Sequence, residues 1–237
     1  MKRQIKLVAI CAVLVGGLVS CLDDKEPIWY FYDEPALVKF EDNIPIIKTT
    51  HGDVRLASLS DTLKSGDYLW TSFTVDLGNQ PYADETLATN FNYKKIGVNT
   101  VKFATGEMDD DYTDVINVSS LYQRRIGNTL FFNFEHDAAR EQQYDYEIIC
   151  NTDSLNTSSD GQEVPTLYLR SKKTHVISGR NNVTVVHHFG FDMTQYIEKY
   201  KINDKNTVEL YIKYLHEKKD GKDVYKSFKT KPITVQY

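Results

Sequence analysis

Alternation of apolar and polar residues with a period of two is the feature that most restricts how this chain can fold. Leu130, Phe132 and Phe134 occupy alternate positions, and the same spacing recurs from Val208 to Leu215. Side chains at every second residue share one face of a β-strand. Aromatic residues, which favour strands, make up 12% of the sequence. The chain is therefore predicted to be all-β.

The predicted strands fall into two groups. Residues 36–105 contain about five short runs, including "DYLWTSFTVDL", and this number suits a small closed or partly closed OB-like barrel. Residues 114–237 contain seven more runs separated by turn residues, a pattern typical of an antiparallel β-sandwich. The acidic stretch 106–113 lies between the two groups. We therefore predict two domains, with residues 106–113 as the junction.

The first twenty residues have the composition of a signal peptide. Basic residues open the chain, and an apolar core of about a dozen residues runs from Leu7 to Leu18. A membrane-spanning helix needs about 20 apolar residues, so this core is too short for a permanent span. The core ends in "LVSC", which resembles a bacterial lipobox; an ordinary signal peptide that contains a cysteine is the alternative. Residues 1–20 are predicted to be a lipoprotein signal peptide, and Cys21 is predicted to carry acyl chains such as palmitate.

The residues after Cys21 bear on location and on partners. Asp23 and Asp24 resemble the surface-export signal of Bacteroidota lipoproteins, so the predicted location is the cell surface of the outer membrane, with the inner leaflet as the alternative. Residues 21–35 are predicted to be a tether, whose cluster Trp29-Tyr30-Phe31-Tyr32 either packs on the barrel or forms a partner patch. The mature chain would hold 25 basic and 33 acidic side chains, or −8. This charge disfavours binding of nucleic acid.

Motifs for catalysis, cofactors and metals are missing from the sequence. There is no nucleophile elbow, phosphate loop, HExxH or dinucleotide fingerprint, so the chain is predicted to be non-enzymatic and to need no cofactor. Of the three cysteines, Cys11 would leave with the signal peptide and Cys21 would be acylated. Cys150 would then have no disulfide partner, and it is predicted to be buried and inert. His187 and His188 are adjacent in a strand and point to opposite faces, so no metal site is predicted. Residues 107–114 could offer carboxylates to calcium, but a solvated linker is the favoured interpretation.

A few residues are candidates for binding or modification. Tyr68, Trp70 and Tyr93 lie in the predicted barrel and could stack on a glycan, although one aromatic face of a small sheet is usually the core. Asp61-Thr62-Leu63 and Asp153-Ser154-Leu155 resemble the short O-glycosylation motif of Bacteroidota envelope proteins. Thr62 and Ser154, both in loop-like polar stretches, are the predicted modification sites.

Three features carry a resemblance to a known family: the lipobox with its acidic follow-on, residues 66–77 and the closing residues 206–235. With these features, most of the mature chain resembles the NigD-like lipoproteins of Bacteroidota. The resemblance is one of strand and turn patterns. It implies an N-terminal OB-like barrel and a C-terminal β-sandwich, and it supplies no active site. We expect a lipid-anchored binding module whose partner is an envelope protein or a glycan. An envelope hydrolase acting on glycans through paired carboxylates is the second hypothesis, and a structural or fimbria-associated subunit is the third.

Overall fold

A computed structural model describes residues 28–56, 62–79, 86–108, 111–116, 118–139, 141–175, 182–200, 207–230 and 233–234. The strands of the first domain are β1 (Ile28–Glu41), β2 (Ile44–Thr49), β3 (Gly52–Leu56), β4 (Tyr68–Asp76) and β5 (Leu87–Lys95), and a short 3-10 helix (Leu77–Asn79) follows β4. The later strands are β6 (Val98–Thr100), β7 (Lys102–Ala104), β8 (Val118–Ile126), β9 (Thr129–Ala139), β10 (Gln143–Thr157), β11 (Glu163–His175), β12 (Asn182–Asp192), β13 (Thr207–Val208), β14 (Tyr211–Lys219), β15 (Lys222–Lys229) and β16 (Ile233–Thr234). Helix α1 (Thr194–Tyr200) separates β12 from β13. The all-β prediction is confirmed.

The first domain is a closed five-stranded barrel. Its strands follow the order β1-β2-β3-β5-β4, and β1 pairs with β4 to close it. Strand β4 has the period of two expected of a strand, and Leu69, Phe73 and Val75 of one face are buried in the barrel core. Val38 and Ile47 fill the same core from β1 and β2. The OB-like barrel is therefore confirmed.

The barrel begins earlier than residue 36. Strand β1 starts at Ile28, and residues 28–31 pair with residues 73–76 of β4. Phe31 enters the barrel, where its ring stacks on that of Phe73 at 4.7 Å between centroids. The tether was predicted to cover residues 21–35, but residues 28–35 belong to strand β1 of the barrel. Asp33, with φ of 52°, marks an irregularity between Phe31 and Glu34, after which the pairing resumes.

The second domain is a β-sandwich of two sheets. One has the order β15-β14-β11-β10-β7 and the other β6-β12-β9-β8. Large side chains from both sheets form the core between them, among them Phe132, Phe134, Ile148, Leu167 and Phe191. Most pairs are antiparallel as predicted, whereas β7·β10, β11·β14 and β6·β12 are parallel.

The domain boundary lies near residue 97, ahead of the acidic stretch. Strands β6 and β7 fall within the range 36–105 assigned to the barrel, yet they pair with β12 and β10 of the sandwich. The described part of 106–113 therefore belongs to the sandwich. After it, Asp114 forms a β-bridge with Ser171, and the amide of Ile116 donates to the carbonyl of Leu215. These bonds place residues 114–116 between the end of β11 and the neighbouring part of β14.

Barrel and sandwich pack directly on each other. Trp70 of β4 contacts Phe131 and Ile126 of the sandwich in a small buried cluster, and Tyr68 packs against its edge. An ion pair lies at the same junction, because Arg124 Nη2 of β8 is 3.2 Å from Glu34 Oε1 of β1. The Glu34 carboxylate is buried and also accepts a hydrogen bond from Thr50. The two domains thus share an apolar contact and a charged one.

Candidate functional site

A surface pocket of about 340 Å³ opens on the outer face of the five-stranded sheet. This volume is near the lower end of the range for small-ligand sites. Strands β11, β14 and β15 form its floor, and residues 106–114 form one wall. The lining includes two aromatic rings, one guanidinium group and three carboxylates: Tyr112, Tyr225, Arg170, Glu107, Asp114 and Asp223. The pocket therefore combines ring faces with polar groups of both charges.

Arg170 is the central charged group of this pocket. Alternation in β11 places it on the outer face, while its neighbours Leu167 and Leu169 enter the sandwich core. The Arg170 side chain is 7% exposed, and its Nη1 lies 2.8 Å from Glu147 Oε1 on β10. Lys102 Nζ approaches the other oxygen of Glu147 at 2.7 Å. Because a buried charge is costly unless it is paired, this arrangement fixes Arg170 in place.

Tyr112 covers the basic residues at the side of the pocket. Its ring centre lies within 6 Å of the charged groups of Lys102, Arg170 and Lys172, a range in which cation–π attraction acts. Nearby, Lys172 is paired with Asp111 at 3.8 Å. The described part of the acidic stretch thus lies over a basic strip of the sandwich sheet.

Asp114 holds this wall to the sheet. Its Oδ2 accepts a hydrogen bond from the backbone amide of Lys173 at 2.6 Å, and its backbone carbonyl accepts one from the Ser171 hydroxyl. Asp223 enters the pocket from β15. Of these two carboxylates, Asp114 therefore has a clear positioning role.

The three aromatic residues predicted as a glycan platform do not form one surface. Trp70 is 5% exposed, and its ring stacks on that of His188 at 4.5 Å. Tyr68 is half-buried against Phe131, and its hydroxyl accepts a hydrogen bond from Thr129. Both residues lie between barrel and sandwich, so the alternative interpretation, core packing, describes them. Tyr93 remains partly exposed, and its ring stacks on Phe91 within the barrel.

The two candidate glycosylation sites have different surroundings. Thr62 is exposed, with its hydroxyl 3.3 Å from that of Tyr93. Ser154 lies in strand β10, where the predicted loop is absent and the register with β11 shifts between Asn151 and Leu155. The Ser154 hydroxyl is within hydrogen-bond distance of Thr166 and Tyr168. Access to a modifying enzyme is therefore better at Thr62.

A buried histidine and a partly buried one form a close pair that the sequence did not indicate. His136 Nε2 and His187 Nε2 are 2.9 Å apart, in a shell of aromatic rings that includes Tyr144 and Tyr146. Burial lowers the pKa of both imidazoles, that of His187 to about 4. A neutral pair in which one ring donates and the other accepts satisfies this contact. Among the described ranges, no three His, Cys, Asp or Glu side chains are placed to share a metal ion.

The predicted anchor residues lie outside the described part of the chain. These are the signal peptide 1–20, Cys21, and the export-signal residues Asp23 and Asp24. In the described residues, no helix has the length and apolar character that crossing a membrane requires. Cys150 is buried in the sandwich core, and burial raises the pKa of its thiol to about 11.

The main pocket residues were missed by sequence reasoning. Arg170, Tyr112 and Tyr225 come from three separate segments that only the sandwich brings together. The available signal was a charged residue within the otherwise apolar run "TLYLR" of β11. A buried position for that charge implies a partner across the sheet, and Glu147 is that partner.

Comparison with protein-family models gives no match to this sequence. Comparison with curated proteins gives no match either. Solved structures do match. An uncharacterised protein from Parabacteroides merdae aligns with a TM-score of 0.64 at 14% identity, covering 87% of this chain and 100% of the other. A "putative lipoprotein" from Bacteroides fragilis aligns with a TM-score of 0.60 at 14% identity, covering 89% and 100%.

A third solved structure bears on the predicted family. A NigD-like immunity protein from Bacteroides caccae aligns with a TM-score of 0.51 at 10% identity, covering 87% of this chain and 99% of the other. At these identities the likeness is one of fold, and it extends over both domains. The chain therefore has the barrel-and-sandwich fold of a NigD-like protein, as its sequence resemblance implies.

Proposed function

We propose that this chain is a lipid-anchored protein of the cell envelope that acts as a non-catalytic binding module. The pocket over Arg170 carries the proposal, because it joins a fixed cation to two tyrosine rings on a rigid sheet. Binding sites in general place a few polar groups among ring and apolar surfaces in this way. The lipobox at Cys21 and the fold shared with the Bacteroides fragilis protein support the envelope location.

The ligand class that suits the pocket is a short glycan. Tyrosine faces offer area for stacking with little loss of side-chain freedom. The carboxylate of Asp223 and the guanidinium of Arg170 can bind hydroxyl groups as acceptor and donor. Both kinds of contact are available within one pocket of the sandwich.

A glycan array tests the binding proposal. We expect the mature chain to bind a defined set of glycans, and Tyr225→Ala to lose most of that binding. Tyr122→Ala is the matched control, because Tyr122 is an exposed tyrosine on β8 of the other sheet. Binding that is absent, or that falls equally in both variants, would contradict the assignment of this pocket.

Glycan hydrolysis is the second candidate function, because Asp114 and Asp223 line the same pocket. Hydrolases of this kind use two carboxylates across the scissile bond. Binding is favoured because the Asp114 carboxylate is engaged by the backbone amide of Lys173. If a glycan that binds is also cleaved, and Asp223→Asn abolishes the cleavage while binding persists, hydrolysis replaces binding as the function.

Two experiments test the location. Cells grown with labelled palmitate should incorporate label into the wild-type protein and not into the Cys21→Ala variant. Protease added to intact cells should degrade the protein if Asp23 and Asp24 direct it to the outer surface. Protection in intact cells together with degradation after lysis would instead place it on the inner leaflet.

A further inference from the structure

Three aromatic side chains at the start of β1 are exposed to solvent. Trp29, Tyr30 and Tyr32 are 52%, 61% and 68% exposed, and we name them the β1 patch. The rings of Tyr30 and Tyr32 lie nearly parallel, 5° apart, with centroids separated by 6.4 Å. Trp29 lies on the same strand face as Phe31, and Tyr30 lies on the opposite face, so the exposed rings flank the start of β1 on both sides. Large aromatic side chains are usually buried, so three that are exposed at one strand end call for a partner that can receive that end.

The barrel holds these side chains in position. Residues 28–31 are paired with β4, and Phe31 is fixed inside the barrel against Phe73. The backbone that carries Trp29 and Tyr30 is therefore part of a regular sheet, and Tyr32 lies in the irregularity that follows Phe31. Fixed aromatic rings lose little conformational freedom when a partner covers them.

The position of the patch along the chain restricts what that partner can be. Six residues separate Cys21 from Ile28. Even a fully extended chain of this length spans only roughly 25 Å, since each residue advances at most about 3.5 Å. If Cys21 carries the lipid proposed above, the start of β1 must remain within that distance of the bilayer surface.

We infer that the β1 patch seats the barrel in the headgroup region of the lipid bilayer. Tryptophan and tyrosine are enriched at this depth, because their rings are apolar and their N–H and O–H groups still reach water. Seating the patch there would add a contact to the anchor and fix the barrel's orientation. The inference rests on the proposed anchor, which places the patch beside the membrane.

Trp29 provides a direct test, because the chain has two tryptophans and the other, Trp70, is buried between the domains. The mature chain, residues 21–237, is coupled through the Cys21 thiol to a maleimide phospholipid in vesicles of phosphatidylethanolamine and phosphatidylglycerol. Cys150 is buried and does not compete for the reagent. Some vesicles also contain a phospholipid brominated on its acyl chains, which quenches only tryptophans that approach it.

In the Trp70→Phe background we expect bromolipid to quench Trp29 and its emission to shift to the blue. The Trp29→Phe protein, which reports Trp70 alone, should show neither change. Trp29 that remains as accessible to aqueous acrylamide as in the free protein would overturn the inference. Chemical coupling makes this result independent of acylation in cells, which the palmitate experiment tests separately.

A second measurement uses the Cys21→Ser protein, which has no anchor. Its partition into the same vesicles should fall about tenfold when the patch is changed to Trp29→Ser, Tyr30→Ser and Tyr32→Ser, because less apolar surface can then enter the interface. Leu155→Ser is the matched control, since Leu155 is a comparably exposed apolar residue of the sandwich. An equal fall in both variants would contradict a specific role for the patch.

Discussion

Replacing Trp70 with alanine is expected to lower the free energy of unfolding by about 3–5 kcal/mol. The indole is 5% exposed and packs against Phe131 and His188 of the second domain. A buried tryptophan removes about 150–250 Å² from water, which corresponds to about 4–6 kcal/mol at 25 cal/mol per Å². The unfolded chain already buries part of this area, which reduces the figure. Urea unfolding followed by far-ultraviolet circular dichroism measures the change.

Two variants serve as controls for this experiment. Trp70→Phe should cost much less, because it keeps a ring and removes a buried indole N–H that has no hydrogen-bond partner among the described residues. Trp29→Ala should cost less than about 1 kcal/mol, because that side chain is half exposed. A loss below about 1 kcal/mol for Trp70→Ala would refute the conclusion that the packing of this residue between the domains stabilises the fold.

Three further predictions concern single residues. Burial raises the pKa of the Glu209 carboxyl, but hydrogen bonds from Lys229, Ser159 and Tyr211 outweigh it and lower the pKa from 4.5 to about 2. The stabilisation is therefore complete above pH 4.5 and lost as the pH falls towards 2, so acid titration of stability should be flatter over this window for Glu209→Gln. Gly190→Ala should cost about 1–3 kcal/mol in thermal unfolding, because its Cβ would meet a methyl group of a neighbouring strand at 3.0 Å. Cys150, buried and with a raised thiol pKa, should resist iodoacetamide at pH 8 in the native protein and react in urea; modification of the native form would contradict its burial.

Local patterns in the sequence were sufficient to predict the all-β class and the two faces of β4. A period of two assigns Leu69, Phe73 and Val75 to one face of β4, and these residues fill the barrel. The role of Trp70 was harder to predict, because β4 is covered on both faces. Its second face meets the sandwich, and a single strand's pattern does not specify which distant surface will cover it.

The domain boundary could not be located from sequence for a related reason. Residues 90–103, "NFNYKKIGVNTVKF", look like one strand or hairpin. In the fold, β6 and β7 instead pair with β12 and β10. The pocket could not be predicted for the same reason, because Arg170, Tyr112 and Tyr225 are distant in sequence and come together only in the folded sandwich. Such pairings leave no mark in the local sequence.

The pairing of β6 and β7 has a consequence for the order in which the chain folds. All barrel strands lie within residues 28–95. Every strand of the barrel therefore has its pairing strands available once residue 95 has left the ribosome. β6 and β7 must wait for Gly190 and Ile149, about 90 and 50 residues later, and such distant pairings form slowly. The sandwich therefore sets how long a newly made chain exposes unpaired strand edges, and with it the time in which the chain can aggregate.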